Sequence, residues 1–469
     1  MIGANVAPPI PIHPPVMKSD NPRRPRIFAP KIKVENNIQK SDNSLAKSSE
    51  NLIPPIVPPG TRDSSRPHPP EISANIKNPR NRIPNTARPI RLTGKIPNGP
   101  IPPKEAVARY PTILTAYEIT EILNYPDVYF IGNVNRKIKT NLSDPFNAGF
   151  DDKFNNYKLV PGDHLGYRFE IISILGSGAF GQVVKCIDHK TNQIVAVKVI
   201  QNTQLMNEQG KIEVQILYKL SQARASHIVR ALDYFVFRNH ICITFEVLGP
   251  SLYNILKNHN FEGLQKKNIR IISQNIFKGL DQCHKLGIIH CDIKPENILQ
   301  SMNNGFKLID FGSSCFLGNQ RFQYIQSRFY RAPEVILGIG YGPPMDIWSA
   351  ALVVIEMAIG KPLFAGHDEA EVISMMMELL GKPPFNVLQA ARRRRDFFDD
   401  YGRFRTNITR IKRKEGSLDL RTVLNDSDPL FYDFLIRCLT WDPTKRMTAS
   451  EALRHPWITH GEAVLPDLH

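Results

Sequence analysis

The chain reads as an α+β protein of two lobes, a small β-rich one followed by a larger helical one, behind a disordered N-terminal tail. Residues 1–105 hold about 22 of the 38 prolines, in stretches such as "VAPPIPIHPPV", with few aromatics and no sustained helical or strand period. From Phe169 onward short β-branched runs come first ("FEIISILG", "GQVVKCID", "IVAVKVI", "ICITFEV"). Longer stretches with helical spacing follow, such as "NIRIISQNIFKGLDQCHKLG" and "AEVISMMMELLG". Strands early and helices late predict layers that segregate rather than alternate. At 469 residues and 42% hydrophobic content, the chain exceeds one ordinary domain and suits a two-lobed unit with an extension.

The tail carries most of the charge. Residues 1–105 contain about 17 Lys and Arg against about 7 Asp and Glu, so roughly +10 of the formal +16 lies there. "NPRRPR" (21–26) reads either as an import or docking signal or as solvated charge, and the tail is a place for partner proteins to dock. No specific nucleic acid is expected, because no aromatic stacking platform accompanies the basic residues. The opening "MIGANVAPPIPIHPPV" has prolines where a secretory signal needs an unbroken apolar stretch, and Gly3 stands one position late for myristoylation. "IWSAALVVIEMAIG" is shorter than the roughly 20 residues needed to cross a bilayer and contains Glu356, so it reads as a buried core helix. Six cysteines without a C-x-x-C pair argue against a disulfide framework or a zinc site and for a reducing compartment, cytosol or nucleus. Near residue 106 aromatics and aliphatics return, with Tyr117, Ile119, Ile122, Leu123, Tyr129 and Phe130 able to pack. The expected organisation is a tail over 1–105, an accessory region over 106–168, a catalytic unit over 169–457 and a C-terminal tail over 458–469.

The chemistry-bearing motifs come in a fixed order. "LGSGAFGQVV" sets Gly176, Gly178 and Gly181 between two strand-like runs, where missing Cβ atoms let backbone N–H groups approach a phosphate. Alone this spacing also fits dinucleotide folds and tight turns, but the loop here leads into a strand, whereas a dinucleotide fingerprint opens a helix. Lys198 in "IVAVKVI" sits in an apolar strand, where an unpaired ammonium would be expensive to bury. It is either an edge lysine reaching solvent or one paired with nucleotide phosphates and with Glu213 of the next helical stretch, "GKIEVQILYKL". "HCDIKPENIL" supplies Asp292 to accept the proton of an attacking hydroxyl, Lys294 to meet a transferred phosphate, and Asn297 as an oxygen ligand for magnesium. "KLIDFGSSCF" adds Asp310, able to bridge that metal to ATP phosphates. "RAPEV" and "TKRMTASEAL" offer Glu334 and Arg446 as a structural pair, and Asp346 in "PMDIWS" suits a brace beneath the catalytic loop. His290 reads as a loop brace rather than a base, and Met375, Met376 and Met377 as helix core.

With these motifs in this order, residues 169–457 resemble a eukaryotic protein kinase domain of the CMGC group, which implies the bilobal protein kinase fold. "HCDIKPENIL", "DFGSSCF" and "YIQSRFYRAPEVILG" resemble more closely the dual-specificity tyrosine-phosphorylation-regulated kinases, in which cysteine follows the loop histidine as Cys291 does. "GFDDKFNNYKLVPGDHLGYRFE" is similar to that family's homology box, and residues 113–132 to the accessory region of its class II members. The resemblance implies γ-phosphate transfer from ATP, with Mg2+, to Ser or Thr of protein substrates, after autophosphorylation of an activation-loop tyrosine. That tyrosine is Tyr324, since the family's second tyrosine position is Phe322 here. Arg328 and Arg331 lie downstream as guanidinium partners for its phosphate. By the same resemblance ATP meets Leu175, Gly176, Ser177, Gly178, Ala179, Phe180, Gly181, Gln182 and Val183 of the loop, with Lys198 and Glu213. Phe245 is the gatekeeper, and Glu246, Val247 and Leu248 form the hinge. Family preference for proline after the target and arginine before it points to Glu296, although Asn254 stands where relatives often carry an acid.

Two other readings bear on the whole chain. A scaffold using the fold without catalysis often lacks equivalents of Lys198, Asp292, Asn297 or Asp310, and all four are present. A nucleic-acid-associated protein would bind through its basic tail in a salt-dependent way. The charged run "RRRRDFFDDYGRFRTNITRIKRKEG" falls at the CMGC insertion and is expected as a solvated surface insert.

Overall fold

The computed structural model describes residues 94–96, 99–302 and 305–459. Of the tail expected over 1–105, residues 1–93 and 97–98 lie outside the described residues, as does the end of the chain from 460.

Ordered packing reaches back across the boundary expected at residue 106. Lys95 and Ile101 bridge to Phe130 and Val128, and Ile96 and Ile101 are buried. Helices α1 (Pro103–Arg109) and α2 (Ala116–Glu121) follow, the second closed by a capping box in which Thr115 and Glu118 satisfy each other's backbone N–H groups. Ile113, Leu114, Ile122, Val128 and Ile131 form a small core with Tyr167. Leu123, expected to pack, is exposed.

This region is joined to the sheet by charges as well as by apolar contact. Arg238, in the turn between two strands, donates to Glu121 at 2.8 Å and to the Tyr157 hydroxyl at 2.8 Å, and its guanidinium lies 4.0 Å from the Phe150 ring centre. Glu118, Asp163 and His164 converge as metal ligands would. Lys137 Nζ, however, stands 2.8 Å from Glu118 Oε1 and 3.7 Å from Asp163 Oδ1, so an ammonium supplies the cation.

A six-stranded antiparallel sheet forms the smaller lobe, in the order β1-β2-β3-β4-β6-β5. Its strands are β1 (His164–Leu165), β2 (Phe169–Gly178), β3 (Gly181–Asp188), β4 (Gln193–Ile200), β5 (Ala231–Phe237) and β6 (His240–Phe245). Because β1 pairs with β2 through His164 and Glu170, the sheet begins inside the accessory segment rather than at 169. Helix α3 (Gln204–Gln222) packs on the sheet, its N-terminus capped by Thr203. Gly210 permits the approach: a Cβ there would stand 2.6 Å from the Ile200 side chain.

The larger lobe is helical. It contains α4 (Leu252–Asn258), α5 (Lys266–Lys285), the short α6 (Pro333–Ile336), α7 (Pro344–Ile359) and α8 (Glu369–Leu380). Helix α7 is the expected core helix, buried on all faces over Met345–Met357. Among the described residues no helix is long and apolar enough to cross a membrane. Met376 and Met377 are buried core, with Met375 packed at its edge. Glu334 and Arg446 meet through two bonds of 2.7 and 2.9 Å. The charged insert is not simply solvated: Phe397 and Phe398 are buried, and Arg393 donates to Ile336 O and Glu369.

Candidate active site

The cleft chemistry starts on the sheet. Lys198 lies on β4, opposite Val183 of β3 and Ile243 of β6, so its ammonium would be stranded without partners. It donates to Glu213 Oε1 and Oε2 of α3 at 2.7 and 2.9 Å and to Asp310 Oδ1 at 2.8 Å. Burial works against the charge on Lys198, but the carboxylates of Asp310 and Glu213 outweigh it and hold its pKa above the usual lysine range. Burial likewise opposes ionisation of Asp310, yet Lys198 and the Gly312 N–H bring its pKa down to about 2. Asp310 has φ +60° and keeps a side chain 36% open to solvent. An ionised, partly open carboxylate next to an ammonium suits a divalent cation and its phosphates.

Above Lys198 runs the glycine loop at the β2–β3 hairpin. Gly181, at φ +133°, is required by the protein itself, since a Cβ would fall 2.1 Å from Val199 O. At Gly176 and Gly178 a Cβ would meet nothing within 4 Å, so their bareness leaves room for a ligand. Phe180 reaches under the loop, 3.2 Å from where a Cβ on Gly312 would stand, with its ring centre 5.8 Å from Lys198 Nζ. Phe245 ends β6 and is buried, while the Glu246 carboxylate turns to Lys307 Nζ at 2.6 Å and Arg230 N at 2.8 Å. Val247 and Leu248 stay half-buried beside it.

The catalytic loop runs between strands β7 (Ile288–Ile289) and β8 (Ile298–Gln300), the latter paired with β9 (Phe306–Leu308). Both oxygens of the buried Asp346 carboxylate accept backbone N–H groups from below, His290 at 2.8 Å and Cys291 at 2.9 Å. That grip holds Cys291 at φ +68°. The His290 ring reaches Ile309 O at 2.9 Å and its Nδ1 accepts the Asp292 N–H at 3.3 Å, which makes it a brace of the loop. Asp292 Oδ2 accepts from Lys294 Nζ at 2.7 Å, and Asn297 donates its amide to Asp292 O at 2.9 Å. The Asn297 carbonyl oxygen is thereby left as the acceptor that a metal would use. Burial opposes the charge on Lys294, but Asp292 prevails and raises its pKa. Ile309 N donates to the backbone oxygen of Asn297 at 3.0 Å, which ties the segments carrying Asn297 and Asp310 together.

Residues 169–458 match the protein kinase domain family. Across 384 residues the chain is 42% identical to dual specificity tyrosine-phosphorylation-regulated kinase 3 of Macaca fascicularis, covering 77% of this chain and 68% of that protein. It is 43% identical over 370 residues to kinase 4 of the same name from Homo sapiens, covering 77% and 71%. Against kinase 2 of Drosophila melanogaster the figure is 43% over 373 residues, covering 77% and 51%. The chain belongs to the dual-specificity tyrosine-phosphorylation-regulated kinases. It spans between about half and seven-tenths of the length of these relatives.

In this kinase the activation segment leans back on the catalytic loop. Ser327, which the sequence reading passed over within "YIQSRFYRAPE", donates its hydroxyl to Asp292 Oδ1 at 2.8 Å and its N–H to the same oxygen at 3.1 Å. Tyr324 is 43% exposed. Arg331 lies against the Tyr324 ring, but its donors go to Ile325 O, Gln326 O and Glu369. Arg328 donates to His367 O. Both arginines expected for a phosphate therefore already have partners on or near the start of α8. Glu356 was also missed, noted only as a charge in an apolar run. Its Oε2 accepts the Tyr330 hydroxyl at 2.6 Å, and burial pushes its pKa up to about 7, with the Glu296 carboxylate adding to the rise. A carboxylate in an otherwise apolar helix was the signal available.

Proposed function

We propose that this dual-specificity kinase uses Asp292 and Lys294 to move the γ-phosphate of ATP to Ser or Thr hydroxyls of protein substrates, and Tyr324 as its autophosphorylation site. The observation that carries the reading is the bonding of Asp292. One oxygen is held by Lys294, and the other faces a hydroxyl, that of Ser327, at 2.8 Å. A substrate hydroxyl taking that place would meet a base already oriented, beside a lysine kept cationic for the transferred phosphate. Lys198, positioned by Glu213, would hold the nucleotide phosphates under Gly176 and Gly178. Magnesium, when bound by Asp310 and Asn297, would neutralise phosphate charge.

Glu296, on the catalytic loop, would favour a peptide with arginine before the target residue. The reducing chemistry of six free cysteines supports a cytosolic or nuclear protein, which imaging of a tagged chain tests. The deciding experiment compares wild type with Asp292→Asn for transfer to a Ser/Thr peptide and for phosphate on Tyr324. A loss of about 100- to 10,000-fold is expected. Wild-type protein that transfers nothing in magnesium and ATP would overturn the reading.

A further inference from the structure

The charged insert and the C-terminal half of α8 enclose a cavity of about 220 Å³ that the catalytic groups do not line. Backbone bonds fix its walls. Gly416 N donates to Met377 O at 2.9 Å and Leu418 N to Glu378 O at 3.0 Å, which clamps the end of the insert onto the helix. Phe404 closes another side, bridged to Phe398 through the backbone and packed edge-on against its ring. Lys382, Arg403 and Arg413 line the cavity against the single carboxylate of Glu415. Arg403 gives its Nε to Asp399 at 2.8 Å, and Lys382 Nζ stands 3.4 Å from Glu415; both side chains are exposed. Counting Asp399 and Glu378 as well, the exposed Arg405, Arg410, Lys412 and Lys414 of the same stretch keep it basic.

Two donors in this lining lack partners. Arg413 Nε lies 3.1 Å from Glu378, while its Nη1 is buried without a hydrogen bond. Ser374 of α8 is 5% exposed, and its hydroxyl has no hydrogen-bond partner among the described residues. A buried helical serine ordinarily returns its proton to the carbonyl one turn back, as Ser273 does to Ile269 O at 2.7 Å. Leaving such donors unpaired is costly, and an acceptor-rich anion in the cavity accounts for both.

We propose that this cavity is a docking site for a phosphorylated serine or threonine of a partner or substrate protein. A phosphate monoester brings about −1.5 to −2 charges and three acceptor oxygens, enough for the guanidinium groups, the ammonium and the Ser374 hydroxyl together. Met377 and Phe404 supply apolar wall for the carbon atoms of the residue that carries it. A single-stranded nucleic acid would need a row of stacking rings, but Phe397 and Phe398 are buried and Phe404 is half-buried, which leaves Tyr401 alone. The start of α8 carries Glu369, held by Arg331 of the activation segment, and Met377 follows eight residues later, about 12 Å along the axis. A docked phosphoprotein is thus tethered to the helix that meets the activation segment, which raises its effective concentration there. That benefit rests on the phosphotransfer reading, whereas the binding itself does not.

The test measures binding to the full chain without ATP, by fluorescence anisotropy. The probes are two labelled peptide pools with degenerate flanks, one centred on phosphoserine and one on serine, with inorganic phosphate and oligouridylate as competitors. Wild type should bind the phosphoserine pool about tenfold more tightly than the serine pool. Lys382→Ala combined with Arg403→Ala, both at exposed side chains, should melt at the wild-type temperature and lose about tenfold in affinity for the phosphoserine pool. Ser374→Ala should lose about threefold, the effect of one hydrogen bond. The double variant should phosphorylate a short unphosphorylated peptide at the wild-type rate. Equal affinity for the two pools, undiminished binding by the double variant, or displacement by inorganic phosphate or oligouridylate at the concentration at which unlabelled phosphopeptide displaces the probe would overturn the proposal.

Discussion

The guanidinium carbon of Arg331 lies 3.9 Å from the centre of the Tyr324 ring, while one arm of the same guanidinium holds Glu369 at 2.8 Å. The unmodified tyrosine is thus already seated on the group expected to read its phosphate. Phosphorylation would add about −1.5 to −2 charges at the edge of that contact and compete with Glu369. Tyr324→Phe keeps the ring and loses the phosphate. It should fold with a melting temperature close to that of wild type and lose about 5- to 150-fold in peptide phosphorylation, the range of an ordinary coupling energy. Thermal unfolding and steady-state kinetics on the same preparation check both halves.

Lys198 holds Glu213 and Asp310 together. Lys198→Met leaves Glu213, 2% exposed at its side chain, without its cation, and should destabilise the fold by about 3–5 kcal/mol besides abolishing activity. Replacing Glu213 by Leu as well should recover part of that stability and none of the activity. Urea denaturation separates the two.

The pH dependence has two signs. Asp310 has a folded pKa of about 2, below its ordinary 3.8, so its contribution is fully present above 3.8 and lost as pH falls towards 2. Glu356 is opposite: raised from 4.5 to about 7, it contributes fully below 4.5, and that contribution is lost as pH rises through 7. Glu356→Gln should therefore be more stable than wild type at pH 8 by on the order of a few kcal/mol, with little difference at pH 4.5.

Removing Lys137 tests the joint between the accessory region and the sheet. Lys137→Met leaves Glu118 and Asp163 buried without their ammonium and should cost about 3–5 kcal/mol. Hydrogen exchange should show the loss first in α2 and β1, which carry Glu118 and His164.

How much of this was legible beforehand differs from residue to residue. Lys198, Asp292, Asn297 and Asp310 stood out because phosphate chemistry demands those groups at short fixed spacings. Helix α7 stood out because an unbroken apolar run has few other uses. Ser327 and Glu356 did not, because each acquires its role from a partner 35 or 26 residues away in the chain. Leu123 was misplaced because a short helix buries only one side, and the side is chosen by what packs against it.

The sequence by itself determined the two-lobed order of strands and helices and the order of the phosphate-chemistry motifs, since local propensity and motif spacing carry that information, while the candidate phosphotyrosine came from the family resemblance. Only the tertiary structure decided that packing begins before the boundary expected at residue 106, that an ammonium rather than a metal fills the accessory core, and that both activation-loop arginines are engaged before any phosphate arrives. It also brought the sulfurs of Cys291 and Cys315, 24 residues apart, to 3.8 Å. The physical reason is common to all four: buried charges and thiols take their partners from whatever segments the fold brings together, and those segments are distant in the chain.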